Sequence, residues 1–350
     1  MSAQSQPAAQ RLPQFELLRV LCMFGIVVNH FFTYGLDIYG LNGSAFTVPV
    51  NGFLDAALWG VLEGTKLLSL VSVNCFVLIT GYFLTYTTDF RLKGIFRVWM
   101  QTVFYGLVVY LLMVAAGLEA FSLQQAVRFF FPVATNRYWF ITTYIALMAV
   151  APFLSRMVSG IDRRTYGILL AVGFVLCFQY PFGEMFVDSQ QLVLFIYLFL
   201  VGGYIRRFAS LPCLSRTRCA ILSVCLFLAM MAVAVVKNLM DAHEPFLVYA
   251  MGYTSLVLPF SICLFFMIAR AGCPVFISRL LPAVSPYVLA VYLIHSHPHF
   301  QNWMWHAIGQ SVTSLPLTLM PLLCLAWSAL IFVLCIAVER VRHLFSGGKF

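Results

Sequence analysis

Ten apolar stretches follow one another along the chain with only short polar connections between them. They run Phe15–Tyr34, Leu67–Tyr86, Ile95–Ala116, Tyr138–Ser155, Tyr166–Tyr180, Gln191–Phe208, Cys219–Val236, Tyr249–Ala269, Pro286–Trp305 and Leu317–Val338. About 20 apolar residues in a helix cross a hydrocarbon core of about 30 Å. The pattern therefore predicts an all-α, polytopic membrane helix bundle of about ten transmembrane helices. The division it implies is a disordered tail over 1–14, a membrane domain over 15–338 and a second tail over 339–350. The chain shows no fixed-period repeat.

Composition agrees. Hydrophobic residues make up 62% of the chain and charged residues 9%, where a soluble domain carries about 25% charged residues. The net charge of +9 does not indicate nucleic acid, because the basic residues sit in short connections. Lys and Arg accumulate in cytoplasmic loops. With the N-terminus inside, 17 of the 21 basic residues fall on the cytoplasmic side, leaving Lys66, Arg128, Arg137 and Lys237 outside. Both termini are then cytoplasmic, and the Leu36–Lys66 connection is external. Met1–Gln10 lacks the basic start and cleavage site of a signal peptide, so the first helix serves as an uncleaved anchor. The ten cysteines fall in helices or cytoplasmic connections and read as small apolar residues.

Two polar residues stand out in the first stretch. Arg19 and His30 are eleven residues apart, almost three helical turns, so they share one face. His30 then lies roughly 16 Å deeper than Arg19, near the middle of the membrane. A titratable group at that depth is costly unless it faces a polar cavity or partner, which makes it a functional-site candidate. Glu16 extends the polar stripe one turn towards the helix start, and Asn29 adjoins His30. The competing explanation for His30 is a neutral packing histidine bonded to a neighbouring helix.

The remaining polar features are weaker. His295, His297 and His299 alternate along the end of the ninth stretch. Residues two apart point to different sides of a helix, so a metal site there would need an unwound segment, which Pro298 could supply. No carboxylate or cysteine neighbours them, and no metal is expected. Asn74 and Tyr82, the latter within Thr80-Gly81-Tyr82, suit either helix packing or a cavity. Arg137 and Trp139 open the fourth stretch, where an aromatic belt competes with a sugar-binding surface. Tyr144 lies one turn further in. Arg91, Lys93 and Arg97 form a basic edge between the second and third helices, able to hold a phosphorylated ligand. There is no phosphate-binding glycine loop, dinucleotide fingerprint, nucleophile elbow or zinc-protease motif.

In order along the chain, these motifs resemble the acyltransferase 3 family of bacterial integral-membrane acyltransferases. Arg19, ten residues, then His30 is similar to the family's first-helix pattern. Val73–Leu84 resembles its FxLxSGYFL segment, with Thr80 in place of Ser. Tyr138-Trp139-Phe140 through Tyr144 to Pro152-Phe153-Leu154, then Gly202–Arg207 and Val291–His295, resemble later signatures. The resemblance spans about Gln14 to Val338. It implies transfer of an acyl group, most often acetyl from acetyl-CoA, to a hydroxyl of a surface polysaccharide or glycan precursor at the bacterial inner membrane. His30 would be the essential histidine, as base or as acyl relay, and Arg19 its partner. Arg91, Lys93 and Arg97 correspond only loosely to the family's basic pair. Acyl-CoA is then a donor substrate rather than a tightly bound cofactor. The partners are the carbohydrate acceptor and membrane lipids. The competing class is a transporter or flippase of glycans or lipid-linked sugars. It lacks support from paired interrupted helices in matching halves of the chain.

Overall fold

A computed structural model gives the structure of the protein and describes residues 12–36, 53–178, 190–208, 215–239 and 256–346. Among the described residues there is no strand. The α-helices are α1 (Pro13–His30), α2 (Phe53–Leu84), α3 (Leu92–Ala115), α4 (Leu123–Phe130), α5 (Trp139–Ser159), α6 (Arg163–Phe178), α7 (Gln190–Arg207), α8 (Arg216–Leu239), α9 (Val257–Ala269), α10 (Val275–Leu280), α11 (Val288–His295), α12 (Pro298–Val312) and α13 (Met320–Ser346).

Six helical segments are long and apolar enough to cross a membrane, and a pair bent by 41°, Val275–Ala283 with Ser285–His295, makes a possible seventh. The predicted fifth, sixth and eighth stretches are also helical, as α6, α7 and α9. They do not meet the same length and apolarity over the described residues. The fold is therefore a multi-pass helical membrane bundle.

Local sequence accounts for the main boundaries. Pro13 opens α1, where its missing N–H costs nothing. The Ser122 side chain accepts from Gln125 N at 3.4 Å and caps α4. Asp162 accepts from the backbone of Arg164 at 2.8 Å and of Thr165 at 3.3 Å, which caps α6. A bond from the Thr165 hydroxyl to the same carboxylate, and after it these backbone bonds, hold the exposed Asp162 carboxyl below its usual range.

Helix α1 is the seam between two apolar clusters. Its first half, with Phe15, Leu18 and Cys22, packs into a cluster formed with α2, α5, α6, α7, α8 and α9. Its second half, from Met23 to Val28, packs with Phe31 and Phe32 just beyond it into a cluster with α3, α11, α12 and α13. In the first cluster α2 and α7 approach backbone to backbone. A Cβ on Gly81 would meet the Phe199 carbonyl, and one on Gly202 would meet the Leu78 carbonyl. Lipid offers no hydrophobic drive between helices, so such small-residue contacts let van der Waals packing hold them.

Three expected boundaries change. Helix α2 begins at Phe53, so more than a third of the expected external Leu36–Lys66 connection is helix. The ninth stretch is not continuous. It breaks at Ser296 and His297 into α11 and α12, because Pro298 has no N–H and its ring would strike the Ile294 carbonyl. The last helix continues past Val338 to Ser346. Of the expected disordered tail over 1–14, residues 1–11 lie outside the described residues, as does the start of the eighth stretch at Tyr249, while Pro13 and Gln14 already belong to α1.

Candidate active site

His30 is the last residue of α1, and the chain continues as a single π-helical turn, Phe31–Gly35. The Leu36 N–H closes that turn on the Phe31 carbonyl at 2.9 Å. Widened turns of this kind concentrate at functional sites. The whole span runs Pro13–Gly35, so its centre is near Phe24. His30 lies six residues beyond, roughly 9 Å past the centre rather than at it.

The break between α11 and α12 delivers the partners of His30. Ser296 Oγ lies 3.3 Å from His30 Nδ1 and 3.3 Å from His295 Nε2. The two imidazole centroids are 5.0 Å apart, and Tyr34 stands edge-on to His30 at 5.2 Å. His295 Nδ1 donates to the Val291 carbonyl at 2.5 Å. His295 is fully buried and Ser296 nearly so, while His30 is only half-buried. Of these three residues, His30 alone keeps partial exposure. The Tyr138 hydroxyl donates to the Leu293 carbonyl at 3.1 Å and ties the head of α5 to this turn. Asn136, left-handed at φ 47°, turns the chain so that Tyr138 can point inward.

The other two histidines have structural partners. His297 donates from Nε2 to the Gly106 carbonyl at 3.1 Å and accepts the Phe300 N–H on Nδ1 at 3.3 Å, which caps α12. His299 Nδ1 is 3.2 Å from Glu119. Among the described residues no group of His, Cys, Asp and Glu side chains forms a metal site.

The start of α1 carries a second polar cluster. Arg19 pairs with Glu16 at 2.5 Å and lies over the Phe83 ring at 5.7 Å. Next to Phe83, the Tyr82 hydroxyl accepts from Arg206 at 3.1 Å, and that guanidinium lies 4.9 Å from the ring centre. Arg207 donates to the Val158 and Ser159 carbonyls, and Arg156 donates to the Thr88 carbonyl at 2.9 Å. The basic ends of α1, α5 and α7 thus gather around the end of α2. Arg91, Lys93 and Arg97 are exposed. Arg91 lines a shallow surface cleft with Leu84, Thr87, Asp89, Met148, Ala151 and Pro152.

The other expected site residues are dispersed. Asn29 lies 3.4 Å from the Ser69 hydroxyl. Asn74 is fully buried and donates to Ser261 at 3.2 Å, bridging α2 and α9. The Tyr144 hydroxyl is 3.4 Å from Thr80, and its ring stacks on Phe140. Trp139 stands against Phe195. Arg137 bonds to Gln125 and lies 5.0 Å over Phe129. Desolvation, and then the nearby Arg128, lower its ordinarily very high pKa.

Sequence reasoning did not single out Ser296 or Arg206, although both lie inside runs it had marked. It also placed Glu63 and Lys66 in a loop. They form a buried pair at 3.8 Å inside α2, beside a small void shared with Phe32, Leu36, Trp59 and Leu62.

The sequence profile of the family described as an acyltransferase domain matches residues 12–339, nearly the whole chain. The chain belongs to that family and is an acyltransferase of the membrane-embedded kind. No curated protein and no solved structure matches it.

Proposed function

We propose that the protein is an O-acyltransferase, acetyl-specific in the leading form of the reading. It takes the acyl group from acyl-CoA at the cytoplasmic face of a bacterial inner membrane and places it on a hydroxyl of a surface polysaccharide or glycan precursor. The observation that carries this reading is the half-buried His30, held at Nδ1 by Ser296, on the helix whose opposite end carries Arg19. A hydroxyl attacking a thioester needs a base, and a neutral imidazole is suited to that. Arg19 and Arg206, with their fork-shaped donors, suit the phosphates of CoA. Ten crossings with both termini cytoplasmic follow from the basic asymmetry, and the gathering of Arg19, Arg156, Arg206 and Arg207 at one end supports that orientation.

The interruption at Ser296 also suits a glycan transporter, since broken helices line substrate pathways in transporters. One experiment separates the readings. Membranes containing the protein are given radiolabelled acetyl-CoA, and label is followed into alkali-labile ester on glycan. Acylation that depends on His30 supports the transferase. Normal glycan export with no transfer of label overturns it.

A further inference from the structure

Three contacts run in series from His30 into the protein: His30 Nδ1 to Ser296 Oγ, Ser296 Oγ to His295 Nε2, and His295 Nδ1 to the Val291 carbonyl. The last contact fixes the proton order of the rest. A carbonyl only accepts, so His295 carries its proton on Nδ1, and in the neutral ring Nε2 is a bare acceptor. Ser296 has one proton to give. If it gave that proton to His30, lone pairs would face each other between Ser296 Oγ and His295 Nε2 in a buried pocket, which is costly. Both contacts are hydrogen bonds in only one arrangement of neutral rings. Ser296 donates to His295, and His30 donates from Nδ1 to Ser296.

We infer that His295 and Ser296 are positioning residues that lock His30 in the Nδ1–H tautomer and leave its Nε2 as the free base of the acyl transfer. The inference rests on the acyltransferase reading for its chemistry, and on hydrogen-bond geometry alone for the tautomer. Every bond in the series is donated away from His30. When Nε2 takes a proton, the ring remains a donor at Nδ1 and keeps its bond to Ser296. The acceptor hydroxyl attacks the thioester carbonyl and its proton passes to Nε2. The C–S bond then breaks, and the CoA sulfur leaves with that proton. The products are the ester and free CoA thiol, and His30 is neutral again. Exposure supports the assignment, because only His30 of the three side chains is more than marginally open.

The tautomer can be read without knowing the acceptor. The full-length protein, labelled with ¹⁵N-histidine and reconstituted in lipid bilayers, is examined by solid-state NMR near neutral pH, with His30 assigned by difference against His30→Ala. The expected result is a protonated Nδ1 and a bare Nε2. A His30 protonated on Nε2 overturns the inference. Ser296→Ala is expected to lose this preference and slow acetyl-CoA turnover by roughly a hundredfold, within the range attributed to a general base. Ser296→Thr, which keeps the hydroxyl, is expected to restore both. An alanine variant with an unchanged His30 spectrum also overturns it. Transfer activity with the wrong tautomer sinks only this inference, whereas the expected tautomer without any transfer sinks the acyltransferase reading and leaves the hydrogen-bond order standing.

Discussion

His30 and His295 come from opposite ends of the chain and meet with their ring centres 5.0 Å apart, with Ser296 between their nitrogens. Of the two, His30 is partly exposed and His295 fully buried. His30→Ala is therefore expected to abolish acyl transfer while the protein still inserts and folds. Loss of a general base costs roughly a hundred- to ten-thousand-fold in rate. A histidine that only packs would give the reverse, a folding defect with activity retained in the folded fraction. An acyl-relay role predicts the same loss, and trapping acyl-His30 from acyl-CoA without acceptor distinguishes it. Normal glycan acylation by His30→Ala would falsify both roles.

Arg19 is the cation to test at the opposite end of α1. It is paired with Glu16 and remains 32% exposed, so part of its donor fork is open to a phosphate. A charge-assisted hydrogen bond is worth about 1.5–3 kcal/mol, and each 1.4 kcal/mol is about tenfold in affinity. Arg19→Ala is thus expected to raise KM for acyl-CoA by about tenfold or more, with normal expression. Steady-state kinetics on purified variant decide the matter, and an unchanged dependence on acyl-CoA removes Arg19 from the donor site. Arg206→Ala is expected to act in the same direction.

Gly81 is predicted to be a packing residue. Any side chain there meets the backbone carbonyl of Phe199, which cannot rotate away as a flexible side chain would. Gly81→Val should separate α2 from α7 and lower stability by the roughly 1–3 kcal/mol, or more, that overpacking costs. Gly160→Ala is the control, since nothing lies within 4 Å of its Cβ position and its φ is −95°. Thermal unfolding in detergent should show a fall in Tm for Gly81→Val alone. Equal Tm values would contradict the close approach.

Glu63 and Lys66 offer a different stability test. Their side chains are 11% and 4% exposed, and breaking a buried pair by removing one member leaves a charge stranded at a cost of about 3–5 kcal/mol. Lys66→Met is expected to destabilise strongly, and the double variant Glu63→Leu with Lys66→Met to recover much of the loss. A double variant as unstable as the sum of the singles would show that the two side chains do not depend on each other.

That pair also shows where the sequence misleads. Two charges three residues apart read as loop in a hydropathy profile, yet on a helix they face each other and one neutralises the other, so α2 starts at Phe53. Long apolar runs were legible because length and apolarity alone define a span. The shared face of Arg19 and His30 was legible from helical periodicity, whereas the apolar run over Pro286–Trp305 reads as one helix and Pro298 by itself only permits the break at Ser296 and His297. The π turn after His30 was not legible, because no proline or glycine marks its start. Nor was the meeting of His30 with Ser296, which depends on how α1 packs against α11 across 266 residues of sequence. The site's donors were marked by type, but their pairings are properties of tertiary contact. Tyr82, for example, suits packing or a cavity by sequence, and only the tertiary contact places Arg206 against its hydroxyl.

The last prediction concerns orientation. If both termini are cytoplasmic, the turn before α6 lies inside and the connection between α3 and α4 lies outside. Arg163, the first residue of α6, and Ala120, in the connection between α3 and α4, are exposed positions on those two sides. In a cysteine-depleted background, Ala120→Cys should react with a membrane-impermeant maleimide added to intact cells. Arg163→Cys should react only after the membrane is opened. The physical basis is the cost of carrying Arg-rich connections across the bilayer during insertion, which biases them to the cytoplasm. The two positions are chosen because α5 separates them, so an extra or missing crossing between them would place both on one side. Labelling of Arg163→Cys from outside intact cells would reverse the orientation, and would put the Arg19 cluster on the side where acyl-CoA is absent.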